Sequence, residues 1–268
     1  MSLIDDAVDL ADTAARVRRD LARDGCSVVP DFLGRELRDA LRGEGAAAAP
    51  RAHYGVETVN VYNTAPDPTL LPDHPAHLTT ERANAFVARD RLAPDGIVQR
   101  VYADPHVQRF VADCFGLPRV HELADPLSGL VLNVVTPGRS HPWHFDTNEY
   151  TVSMLTQAPD AGGVFEYCPN IRSAHAENVD DVRAALDGRY PSRRLTLRPG
   201  DLQLFAGRYS LHRVTTVTGA TARHSAIFAY SERPGVVGTV ARTRQLFGRV
   251  TPAHRAAEAR VRVDRLMD

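Results

Sequence analysis

The sequence has no lysine; all 32 of its basic residues are arginine. No lysine can therefore be catalytic, as a Schiff-base nucleophile or as a general base. Cysteine is scarce as well: Cys26, Cys114 and Cys168 are widely spaced and form no CxxC pair. An odd, scattered set of thiols supports neither a disulfide framework nor a thiolate zinc site, and it fits a reducing compartment. No apolar run approaches the ~18 to 20 residues that a membrane-crossing helix requires. The opening, MSLIDDAVDLADTAARVRRDL, carries acids where an export signal needs a basic and then an apolar stretch. A dominant charge is missing too, since the formal net charge is -1. Without a basic surface, a polyanion has nothing to bind. These absences predict a cytoplasmic protein with no membrane and no nucleic-acid partner. The expected partner is a small molecule, and a homodimer stays open.

What is present is an ordinary globular composition, 43% hydrophobic and 24% charged over 268 residues. That length supports one sizeable domain. Residues 13–24 place Ala15, Val17, Leu21 and Ala22 near one helical stripe, with Gly25 as a stop. Cys26 to Val29 predicts a short strand ended by Pro30, and Phe32, Leu37 and Leu41 mark a second helix. Residues 44–81 are irregular, broken by Pro66, Pro68, Pro72 and Pro75, and suggest a lid or wall. Residues 82–92 and 105–116 have a helical pattern.

Beyond residue 120 the texture changes to short β-rich runs: 127–135, 150–157, 163–167, 193–198, 201–206, 212–217 and 225–230. PG, GG and PGD turns separate them, and 175–188 supplies one helical interlude. The expected fold class is α+β, mainly β: a jelly-roll, cupin-like core with an α-helical N-terminal layer. A single domain would cover 1–268, with 1–120 as mostly helical support and lid, 121–235 as the core and 236–268 as a C-terminal extension.

The chemistry-bearing pattern lies in SHPWHFDTNEY. On an extended segment His144 and Asp146 point to the same side, so an imidazole and a carboxylate can share one cation. His212, in RYSLHRVTTV, is the natural third ligand. Two histidines and one carboxylate on one face of an octahedron leave three open positions, the arrangement of iron(II) oxygenases. An HxD pair alone is weak, because a chain with 11 histidines contains one readily. Arg223-His224-Ser225 strengthens it. Ten residues separate His212 from Arg223, enough to leave one strand, round the TGAT turn at 218–221 and return along its neighbour. A guanidinium with a nearby hydroxyl there suits the distal carboxylate of 2-oxoglutarate.

Taken together, HxD, the distal histidine and Arg-x-Ser resemble the iron(II)/2-oxoglutarate-dependent oxygenases, whose shared core is a double-stranded β-helix. LARDGCSVVPDFL is similar to their N-terminal helix and strand. WHFDTNEYTV, GGVFEYCPNIR, PGDLQLFAGRYSLHRV and LFGR resemble a bacterial subgroup related to the free amino-acid halogenases and hydroxylases of natural-product pathways. The resemblance implies Fe(2+), 2-oxoglutarate and O2, with release of succinate and CO2. Halogenases of that subgroup have glycine at the carboxylate position, which admits chloride. Asp146 therefore implies hydroxylation of an unactivated C–H, or a related oxidation, on a small free amino acid or similar metabolite. It also implies that His141 and an arginine of the N-terminal half hold the substrate; Arg82 either fills that place or pairs with a surface acid.

Further candidates carry two readings each. Asn133 could hydrogen-bond the co-substrate or satisfy a buried backbone group. Glu122 and Asp125 could meet a cationic substrate end or stand in solvent. Trp143 and Phe145 read as packing, Arg208 as a second anion clamp or a rim ion pair, and Tyr54 and Tyr62 as lid residues. His224, between Arg223 and Ser225, should point the other way. Two rivals share the barrel. A cupin-type metalloenzyme without 2-oxoglutarate has no need of Arg223 at that offset, and a non-catalytic ligand-binding module has no need of an intact triad.

Overall fold

A computed structural model of the chain describes residues 3–257 except 66 and 149, so the end of the expected C-terminal extension, 258–268, lies outside the described residues. Strands appear in chain order as β1 (Cys26–Val29), β2 (Glu57–Val59), β3 (Thr80–Arg82), β4 (Ala85–Ala88), β5 (His121–Glu122), β6 (Leu130–Val135), β7 (His141–His144) and β8 (Tyr150–Gln157). The series continues with β9 (Ala161–Gly162), β10 (Phe165–Cys168), β11 (Arg193–Leu195), β12 (Leu202–Phe205), β13 (Leu211–Val214), β14 (Val217–Thr218) and β15 (Arg223–Ser231). The major sheet runs β1-β12-β8-β15-β6-β4, with β5 on the far end of β15, and the minor sheet runs β11-β10-β13-β7. All pairings are antiparallel. Two such sheets packed face to face form the jelly roll, as the β-rich runs predict.

Helices α1 (Leu10–Asp24), α2 (Arg35–Ala48), α3 (Ile97–Ala103) and α4 (Pro105–Phe115) cover the outside of the major sheet, and α5 (Val179–Leu186) lies between β10 and β11 in the chain. Their ends follow local chemistry. The Asp9 side chain caps the first turn of α1, and Gly25 closes it in the left-handed region at φ 66°. Asp104 accepts from the amides of His106 and Val107, Pro105 opens α4, and Gly116 ends it.

Alternation along the strands sorts their side chains. Leu130, Leu132 and Val134 of β6, Ala226, Phe228 and Tyr230 of β15, and Val152 and Met154 of β8 pack on the helices. Burying each larger side chain contributes ~1.5 to 3 kcal/mol, which fixes the register. The odd-numbered residues of β6 and β15 must then face the barrel, polar or not. Asn133, Arg223 and Ser225 are among them, all buried.

Residues 82–92 are not helical. They hold the end of β3, all of β4 and a 3-10 turn at Arg89–Arg91. Ala85 and Val87 face the helices while Phe86 and Ala88 face the opposite cluster, so the strand is buried on both sides. An apolar run without alternation does not distinguish such a strand from a helix. The Pro-rich stretch also contains the β2–β3 hairpin. Arg223 does not return beside His212: β13 and β15 lie in opposite sheets, so the two residues reach one interior from facing walls. Among the described residues, no helix is long and apolar enough to cross a membrane.

His224 points toward the helices, with its Nδ1 unpartnered beside Gly45 and Thr156. Burial, then the charge of Arg223, pushes its pKa from 6.5 down to about 4. The unfolded chain therefore takes up a proton that the folded chain refuses. The stability held above the ordinary histidine pKa is lost as pH falls toward about 4. At about pH 5 the loss is ~2 kcal/mol. His224→Gln should flatten the fall in thermal midpoint between about pH 7 and about pH 5, relative to the parent. An unchanged slope rules out His224 as its source.

Candidate metal centre

Strand β7 ends at His144 and pairs with β13 so that His144 stands opposite His212. One ligand atom each from His144, Asp146 and His212 lies within 4.8 Å of the others. Asp146 Oδ1 is 3.7 Å from His144 Nε2 and 3.5 Å from His212 Nε2. Ligand atoms at ~2.1 Å from one ion, at right angles, are ~3 Å apart, so small shifts would close the set around a cation.

The surroundings prepare these atoms for a metal. His144 Nδ1 is 2.8 Å from the Pro142 carbonyl, and His212 Nδ1 is 3.0 Å from the Ser210 carbonyl. A carbonyl only accepts, so each Nδ1 carries a proton and each Nε2 is the atom turned toward Asp146. The Thr151 hydroxyl donates to Asp146 Oδ2 at 2.8 Å, leaving Oδ1 for the ion. Burial alone would raise the Asp146 pKa, but His212, His144 and Thr151 together hold the carboxyl well below the usual range. Burial, then His141 and His212, pushes His144 down, so its imidazole is neutral. Neutral imidazoles and an ionised carboxylate are the forms that bind metals.

Gly207 makes room for this carboxylate. A Cβ there would come 2.1 Å from Asp146 Oδ2, and the Gly207 carbonyl accepts from the Asp146 amide at 3.1 Å. Phe205 of the major sheet meets His212 edge-on, with ring centroids 4.7 Å apart, and closes one wall.

Arg223 is buried in the facing wall and donates to the Ser225 hydroxyl. Among the described residues it has no carboxylate partner, and burial pushes its pKa down to about 10. Ser225 lies in register with Asn133. The Asn133 carbonyl accepts from Asn84 at 2.8 Å, and its amide nitrogen is 3.5 Å from His141. His141 stacks on His144 at 3.8 Å. Arg82 is buried, pairs with Glu57 and lies over Phe86, which meets His141 edge-on. Asn133, His141, Arg82, Arg223 and Ser225 thus form one continuous lining with the triad.

Glu122 and Asp125 do not join it. Glu122 pairs with Arg89 and registers with Tyr230, seven residues along β15 from Arg223. Asp125 is fully buried elsewhere, accepting from the amides of Leu127, Ser128 and Gly238 and lying 3.0 Å from His254 Nε2. Thr251 Oγ1 contacts the other nitrogen of His254. This Asp-His-Thr chain looks like a nucleophile triad, but its burial makes it a clasp for the C-terminal segment. Tyr62 is no lid: it is buried and stacked on Phe145. Arg208 is not at a rim but fully buried, donating to the Thr147 carbonyl. Trp143 lies under the Arg213 guanidinium as packing.

Sequence reasoning missed Thr151, Gly207 and Asn84. Thr151 stands five residues after Asp146 in a recognised strand, an offset that could have suggested a partner.

The family model described as Halogenase D matches residues 70–243. No curated protein matches the chain. Solved structures do. A 2OG-Fe(II) oxygenase-family oxidoreductase from Burkholderia pseudomallei is 20% identical with a TM-score of 0.51, covering 83% of this chain and 92% of that one. A prolyl hydroxylase from Trichoplax adhaerens, in complex with a peptide fragment of the hypoxia inducible factor oxygen degradation domain, is 14% identical with a TM-score of 0.55, covering 83% and 90%. The alpha ketoglutarate dependent epimerase SnoN from nogalamycin biosynthesis is 14% identical with a TM-score of 0.57, covering 82% and 80%. At these identities the likeness is one of fold.

Anaerobic titration with iron(II) or cobalt(II) tests the ligand set. His144→Ala and His212→Ala should lose tight binding, and Gly207→Ala, by displacing Asp146, should weaken it ~10- to 100-fold. Native affinity in Gly207→Ala would remove Asp146 from the set.

Proposed function

The chain belongs to the halogenase D family, and from that membership and the site we propose an iron(II)- and 2-oxoglutarate-dependent oxygenase that hydroxylates a small amino acid or related metabolite. His144, Asp146 and His212 hold the iron. When bound, iron and 2-oxoglutarate supply the activation of dioxygen that oxidises an unreactive C–H bond, releasing succinate and CO2.

One observation carries the co-substrate: Arg223 is a buried cation whose polar neighbour is a hydroxyl, with no acid among the described residues. An unpaired buried charge costs several kcal/mol, so the site is complete only with an anion in it. The distal carboxylate of 2-oxoglutarate supplies one, held by the guanidinium fork and the Ser225 hydroxyl. SnoN, on the same fold, has been solved with Fe3+ and alpha ketoglutarate. A cupin without a keto-acid leaves Arg223 unexplained.

The remaining side chains orient and enclose. His141, neutral because burial and then the charge of Arg82 hold its pKa far down, offers a hydrogen bond beside His144. Arg82 presents a cation from β3. Phe86 and Phe205 wall off water, which strengthens every polar contact inside.

Asp146 selects oxygenation over halogenation. Its carboxylate would take one position on a bound iron and adds negative charge, which would leave chloride neither a vacancy nor a favourable field. The product in chloride or bromide buffer should be hydroxylated, desaturated or cyclised. A halogenated product on mass spectrometry would mean that Asp146 is not a ligand. Arg223→Leu should raise the 2-oxoglutarate KM by two or more orders of magnitude, corresponding to ~3 to 5 kcal/mol for a broken buried pair, with iron affinity little changed. An unaltered KM moves the anchor elsewhere.

A further inference from the structure

Helix α6 (Val240–Phe247) follows the barrel and packs on β4. Its Arg242 sends Nη1 to Asn63 Oδ1 at 3.0 Å and to Gln245 Oε1 at 2.6 Å. Arg82 reaches the same turn, with Nη2 3.5 Å from the Gln245 carbonyl. Two guanidiniums far apart in the sequence therefore meet at Gln245, beside the lining described above. Like charges held this close are unfavourable unless an anion joins them. Burial, then the Arg82 charge, pushes the pKa of Arg242 down to about 9.

Two polar atoms at this place are buried without partners: Arg82 Nη1 and Asn63 Nδ2. Both are donors. The Asn63 amide is oriented by its own oxygen, which accepts from Arg242, so its Nδ2 is held rather than free to turn away. Unmet buried donors cost ~1 to 3 kcal/mol each and call for an acceptor.

Counting charges says what the acceptor is. Iron(II) is balanced by Asp146 and the keto-acid end of 2-oxoglutarate, and Arg223 by its distal carboxylate. Arg82 and Arg242 face Glu57, which is already paired with Arg82. One positive charge is left over. We propose that Arg242, with Arg82 and the Asn63 amide, forms a clamp for a single carboxylate of the substrate, so that α6 is a specificity element of the active site. This rests on the oxygenase reading but tests separately from it.

The probes are the free L-amino acids and their carboxamides, added anaerobically to protein carrying iron(II) and 2-oxoglutarate, with the visible chelate band as the signal. Free acids should perturb the band and their carboxamides should not. For the best acid, Arg242→Leu should weaken binding ~30-fold or more while leaving formation of the band unchanged. Arg242→Lys should restore part of the loss, and Asn63→Ala should weaken binding less. A band that forms but that no carboxylate moves overturns the clamp, as does a carboxamide binding as well as its acid. If no band forms, the oxygenase reading fails instead. The same panel followed by thermal denaturation of the metal-free protein still decides the clamp: stabilisation by acids in the parent and not in Arg242→Leu supports it, and equal stabilisation in both refutes it.

Discussion

A guanidinium inside a barrel, with a hydroxyl for company and no acid, is an electrostatic structure waiting for its other half. Arg223 is buried because β15 alternates and its even-numbered neighbours are committed to the helices. Moving the arginine outward would slip the register by one residue and drive Phe228 and Tyr230 into the barrel. The hydrophobic layer thus holds the charge where water cannot neutralise it. The packing of α1 to α4 reaches the active site through this constraint, not through any contact with a ligand.

The triad depends on the same alternation from the other wall. His144 and His212 are register partners on β7 and β13, and their backbone carbonyl contacts fix which nitrogen faces inward. Asp146 leaves the strand but is held by Thr151 of the major sheet and by the Gly207 carbonyl. The three side chains are tied to both sheets, so a metal held between them would bridge the sandwich.

How much of this could be read from residues alone depended on the range of the interactions. The β core was legible because β-rich runs between glycine and proline turns need no tertiary information. His144 and Asp146 were legible for the same reason, since i and i+2 share a face of any extended segment. Strand β4 was not, because burial on both faces erases the alternation that marks a strand. Glu122 and Asp125 misled for a different reason. Whether an acid near a motif faces the substrate is decided by distant partners, and Arg89, Gly238 and His254 claim these two. Arg242 carries no motif at all; only the packing of α6 on β4 brings it to Arg82.

Gly207 and Asp146 contend for one small volume, since a single methyl at Gly207 would overlap the carboxylate. The two positions are therefore coupled in the mutational landscape. With aspartate at 146, any larger residue at 207 must displace the carboxylate. Once the carboxylate is removed, the constraint disappears, and larger residues at 207 become neutral or fill the hole. A lineage that gives up Asp146 can then accumulate substitutions at 207 that block the way back. The step between the two coordination chemistries would act as a ratchet, reversible at first and closed by whatever side chain next occupies the vacated space.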